Sequence, residues 1–141
     1  MTPEQNAAVE GSFRRLAPIA EPAAAMFYAK LFALDPSLRQ LFARTDLAAQ
    51  GRKLMSAIGF VVANLRRPEQ LLPAVAELGR RHAGYGVQPA HYATVGAALL
   101  ATLEEGLGSD FTPATRDAWA AAYGLLAQVM QDAASAPVQP A

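Results

Sequence analysis

Proline spacing constrains this chain more than any other feature. Six of its ten prolines, Pro3, Pro22, Pro36, Pro68, Pro89 and Pro113, each stand just ahead of a stretch with helical periodicity. Proline suits the first residue of a helix: an N–H there would have no intrahelical partner, and its fixed φ is already helical. Thr2, Asp35 and Thr112 precede three of the six and are good N-caps. The run Thr2-Pro3-Glu4-Gln5 is also a capping box, with Gln5 reaching back to Thr2.

Behind these starts, apolar residues recur at steps of three and four. Val9, Phe13 and Leu16 form one stripe, and Leu54, Ile58, Val61 and Leu65 a second. Tyr92, Val95, Leu99, Leu103 and Leu107 form a third, and Trp119, Tyr123, Leu126 and Met130 a fourth. No segment alternates at period two with β-branched residues, so no sheet is expected. The pattern predicts an all-α fold of seven helices, over 3–17, 22–34, 36–42, 47–66, 68–82, 89–107 and 113–133. A single domain over 1–133 is expected, followed by a disordered tail over 134–141, rich in small residues and proline.

Charge and composition remove several function classes. The formal net charge is zero, with no basic stripe, so neither nucleic acid nor a membrane surface is an expected partner. The N-terminus lacks the basic start and apolar core of a signal peptide, and no apolar run is long enough to span a bilayer. The absence of cysteine rules out disulfides, thiolate ligands and thioether-attached haem, and fits a cytoplasmic location. Two histidines nine residues apart make no zinc site. No phosphate-binding glycine loop occurs, no strand precedes Ser12 to make a nucleophile elbow, and Glu104-Glu105 reads as a solvated pair.

Three polar residues sit on apolar faces. His82 ends the series Leu71, Val75, Leu78, His82, just before a glycine-rich turn. It suits either a core histidine bonded to a backbone carbonyl or a ligand with room beside its ring. Gln50 lies one turn before Leu54 and Ile58. It is either buried, and then in need of a partner, or solvated in the first turn of its helix. Tyr28 shares a face with Phe32, and its hydroxyl either closes an ordinary core contact or points at something. Phe42 follows the short helix Pro36-Ser37-Leu38-Arg39-Gln40-Leu41 and is plain core by pattern alone.

Taken together, the stretches FYAKLFALDPSLRQLF, QGRKLM, LGRRHAGYGVQPAHYATVG and AWAAAYGLLAQVM resemble the single-domain bacterial haemoglobins of the Vitreoscilla and Hell's Gate types, and the globin domain of flavohaemoglobins. The match runs in one register from about residue 5 to 132, apart from the loop after Phe42. The resemblance implies a globin fold, a helical sandwich around a haem pocket, holding haem b (iron protoporphyrin IX) without a covalent link. It makes His82 the proximal ligand to the iron and puts Tyr28 and Gln50 on the distal side. Phe42 would pack on the porphyrin face and Leu54 would fill the distal pocket. Tyr92 would stand on the proximal side, and Lys53 and Arg81 would reach toward the propionates.

The resemblance further implies reversible binding of O₂, with CO and NO as other ligands, at a five-coordinate ferrous iron. Tyr28 and Gln50 would slow O₂ release. The alternative is an NO dioxygenase fed by a separate reductase, since no flavin or nicotinamide domain follows within the 141 residues. A gas sensor and a haem-free helical interaction domain are the remaining readings. A monomer or weak dimer is expected. His91 opens the helix after His82 and is poorly placed to be a distal sixth ligand. Where the flavohaemoglobin type carries a late glutamate beside the proximal histidine, this chain has Ala134, and Asp132 points half a turn away. Peroxidase-like activation of O–O bonds is therefore not expected.

Overall fold

A computed structural model describes residues 1–135. It contains six α-helices: α1 (Pro3–Leu16), α2 (Ala20–Leu34), α3 (Leu47–Ala63), α4 (Pro68–Gly84), α5 (Pro89–Leu107) and α6 (Pro113–Ser135). Three 3₁₀ segments join them, at Ala17–Ile19, Pro36–Phe42 and Gly108–Asp110. There is no strand among the described residues. Helix α6 continues through Ser135, two residues past the expected domain end. Residues 136–141 of the expected tail lie outside the described residues.

The caps expected at Thr2, Asp35 and Thr112 form, and Asp46 adds one that was not among them. Gln5 N–H donates to Thr2 Oγ1 at 3.1 Å, and Thr2 N–H donates to Gln5 Oε1 at 3.0 Å. Thr115 N–H donates to Thr112 Oγ1 at 3.2 Å. Asp46 caps α3 by accepting from Ala48 N–H at 3.0 Å and Ala49 N–H at 3.3 Å. Two starts differ from expectation. Pro22 is the third residue of α2, not the first, because the 3₁₀ turn at Ala17–Ile19 carries the chain from α1 almost without a break. The third position also tolerates proline, since its N–H has no intrahelical acceptor either. The segment after Asp35 is 3₁₀ in place of α-helix, with Asp35 accepting from Ser37 N–H at 3.1 Å.

Two close helix crossings set the geometry of the interior. Helix α4 lies so near α6 that a Cβ on Gly79 would collide with the Met130 backbone. Helix α3 crosses α2 where a Cβ on Gly51 would come within 2.9 Å of Ala24 Cβ. Each glycine sits within a turn of a singled-out polar residue, Gly79 before His82 and Gly51 next to Gln50. The crossings therefore place those side chains. The main core gathers Val9 and Leu16 from α1, Val62 from α3, Leu103 from α5, and Ala118, Trp119 and Ala122 from α6.

A buried polar tie in this core joins α1 to α6. Trp119 Nε1–H donates to Ser12 Oγ at 2.8 Å, and that hydroxyl in turn donates to Ala8 O at 2.6 Å. Trp119 is only 4% exposed. Ser12→Ala leaves the indole N–H without an acceptor, and stability should fall by about 1–3 kcal/mol. Urea unfolding followed by circular dichroism measures this; an unchanged midpoint would mean that water replaces the hydroxyl.

Candidate haem site

All six helices, with the 3₁₀ segment at Pro36–Phe42, contribute to the walls of a partly open cavity of about 250 Å³. Its walls are mostly apolar, with Leu31, Leu54, Val61, Val95, Leu99 and Leu126 among them. Six of the residues singled out in the sequence line it: Tyr28, Phe42, Gln50, Leu54, His82 and Tyr92. Lys53 and Arg81 do not; both are exposed at the surface.

On the α4 side, the sequence left two roles open for His82, and the hydrogen bonding joins them. His82 Nδ1 lies 2.8 Å from Leu78 O, one turn back on the same helix. A carbonyl oxygen only accepts, so Nδ1 carries the hydrogen. The other nitrogen, Nε2, then keeps its lone pair. Among the described residues the ring makes no further hydrogen bond. One carbonyl thus fixes both the ring orientation and the tautomer of a side chain whose free lone pair borders the cavity. The α4 helix overruns His82 by two residues, because Tyr85 N–H bonds to the carbonyls of both Arg81 and His82 at 3.1 and 3.0 Å.

Another part of the cavity wall is built around Tyr28, which is 6% exposed. Three rings surround it: Phe27 at 5.1 Å and Phe42 at 5.5 Å in edge contact, and Phe32 stacked at 6.1 Å. Burial pushes the phenol pKa up, and the neighbouring Gln50 carboxamide offsets this only in part. Tyr28 is therefore a neutral O–H donor at physiological pH, and Gln50, from the first turn of α3, stands beside it.

Also lining the cavity, Tyr123 of α6 donates its hydroxyl to the main-chain carbonyl of Tyr92 at 2.6 Å. Burial, then the nearby Tyr92, drives the Tyr123 pKa far up, so this bond persists at all ordinary pH. Burial also raises the Tyr92 phenol. Tyr123 and His91 are cavity residues that sequence reasoning did not assign to the site. Tyr123 had a signal, since it shares the Trp119–Leu126–Met130 stripe, but that stripe reads as ordinary core.

Among the described residues no cluster of three or more His, Cys, Asp or Glu side chains is placed to hold a metal ion. A single imidazole is too few ligands for a bare ion, but it suffices for a metal that brings its own planar ring of donors. The free nitrogen of His82 at a mostly apolar cavity fits such a ring.

A family model described as Globin matches residues 25–130. The chain belongs to the globin family. This globin is also similar to the flavohemoproteins of Bordetella parapertussis and Deinococcus radiodurans. It is 36% identical to each over 132 residues, 92% of this chain and 33% of theirs. A stretch of 106 residues, 74% of the chain, is 36% identical to a part making up 26% of the flavohemoprotein of Rhizobium meliloti. The globin thus spans about a third or less of the length of these curated relatives. Haem is the cofactor this family implies, and the donor set of the cavity fits it. Among the described residues no helix is long and apolar enough to cross a membrane.

Proposed function

We propose that this globin binds haem b with His82 Nε2 as the proximal ligand and reversibly binds O₂, with Tyr28 and Gln50 as hydrogen-bond donors to the gas. The observation that carries the reading is the free lone pair of His82 at an apolar cavity that a buried phenol, Tyr28, and a half-buried carboxamide, Gln50, also line. When bound, the haem supplies a ferrous centre that takes up a diatomic gas. The protein's own residues do the rest. His82 holds the iron side, its ring fixed by Leu78 O. Phe42 and Leu54 exclude water from the disc. Tyr28 O–H and Gln50 N–H donate to a ligand that gathers negative charge, as O₂ does more than CO. Lys53 and Arg81 are long enough to approach the carboxylates of the disc from the surface.

A visible spectrum of the purified protein, reduced and then exposed to CO, tests this reading. The expected outcome is a histidine-ligated ferrous spectrum that shifts to that of the CO form. Folded protein that stays colourless when offered haemin would overturn it.

The second reading is NO dioxygenation, in which O₂, NO and one electron yield nitrate. The similarity to flavohemoproteins favours it, with a separate reductase supplying the electron. One equivalent of nitrate per haem is common to oxygen-binding globins. Nitrate formed continuously with a flavin reductase and NADH would support the enzyme, and arrest after one equivalent would remove it.

A further inference from the structure

We infer that His91 is a second haem-serving imidazole, holding one propionate carboxylate at the mouth of the cavity through its Nε2–H. The inference rests on the haem reading of that cavity. His91 is the third residue of α5, and the Gln88 main-chain N–H donates to its Nδ1 at 3.0 Å. That donor already carries a hydrogen, so Nδ1 holds the lone pair and the neutral ring's proton sits on Nε2. The tautomer is thus the reverse of that at His82. One ring offers the cavity a lone pair, and the other offers it a donor.

The position suits a carboxylate. His91 is half-buried and lines the cavity together with Val87 and Leu41. Leu41 is 38% exposed, and the turn at Gly86 packs against it, so these residues form the open edge of the cavity. A disc with an apolar body and charged carboxylates on one edge enters with that edge toward water, because burying an unpaired carboxylate is costly. Most of the other cavity donors are already engaged. The N–H groups of His82 and Trp119 and the hydroxyl of Tyr123 have acceptors. Tyr28 and Gln50 face each other, and Tyr92 packs into the cluster of Leu71, Val75 and Met130. Among the described residues His91 Nε2–H has no acceptor in the protein, and it shares the cavity lining with the exposed Leu41.

The test is haemin transfer from the loaded protein to an excess of a scavenger apoglobin. Two haemins are compared: the natural one, and its dimethyl ester with both carboxylates blocked. His91→Asn keeps a short acceptor for the Gln88 N–H but cannot reach as far as the imidazole. It should release natural haemin roughly three- to tenfold faster than the unsubstituted protein, a modest gain because the mouth is half-solvated. It should accelerate release of the ester far less, because an uncharged ester carbonyl is a weaker acceptor than a carboxylate. Equal rates for natural haemin in the two proteins would overturn the inference. So would equal acceleration for both haemins, which would place the effect in the cap. Failure of the unsubstituted protein to take up either haemin would overturn the haem reading itself, and this inference with it.

Discussion

His82→Ala should give a folded, helical protein that releases haem on the order of a hundredfold faster than the parent, or never retains it. The size follows from the role. Loss of a group that merely orients a metal ligand typically costs 10- to 100-fold in affinity, so loss of the ligand itself costs at least as much. The fold should survive, because alanine is the better helix former and His82 is only half-buried. Its single hydrogen bond is to a carbonyl of its own helix, which Leu78 can return to water. His82→Gly separates the two functions of the residue. Free imidazole added to that variant should restore the spectrum of the parent, since the glycine leaves space where the ring stood. Tight ferrous haem in His82→Ala, with an unchanged spectrum, would move the iron to another ligand. Among the cavity residues only His91 carries a second imidazole, and it sits at the mouth.

Much of the fold was legible, because helix starts are local chemistry. A proline after Thr2, Asp35 or Thr112 announces its cap without knowledge of the rest of the chain. Helix ends were less so. The stripe through Leu65 predicts α3 to residue 66, yet it stops at Ala63. Asn64 ends it, donating its side-chain Nδ2 to Phe60 O at 2.8 Å. An asparagine competes with the helix through such bonds, and periodicity does not register them. The site was legible as anomaly more than as geometry. Tyr28, Gln50 and His82 each looked misplaced on an apolar face, and each alone suited a bland role. The resemblance put them around one haem pocket, and in the structure the crossings at Gly51 and Gly79, contacts between distant parts of the chain, bring them to one cavity. Lys53 and Arg81 show the converse. The resemblance points them toward the propionates, but surface side chains carry no periodic signal that fixes where they point, and neither lines the cavity.

Tyr28→Phe should speed O₂ release by roughly ten- to a hundredfold while changing CO release by less than about threefold. The range is the loss of one hydrogen bond to a charged acceptor, about 1.5–3 kcal/mol, read as a rate. The substitution is clean. The ring stays among Phe27, Phe32 and Phe42, so no cavity opens and the packing is kept. Gln50→Leu should act in the same direction. If the phenol and carboxamide share one acceptor, the double variant should fall short of the product of the two single effects. The pKa direction adds a further check. Burial raises the Tyr28 phenol above its ordinary value, so the donor stays protonated across the neutral range. O₂ release by the parent should therefore be flat between about pH 6 and 9. A release rate that climbs within that window would mean that a different, titrating group holds the gas. Equal acceleration of O₂ and CO in Tyr28→Phe would mean that the phenol acts by bulk alone. Discrimination between the two gases rests on where charge gathers, and a steric role for residue 28 cannot reproduce it.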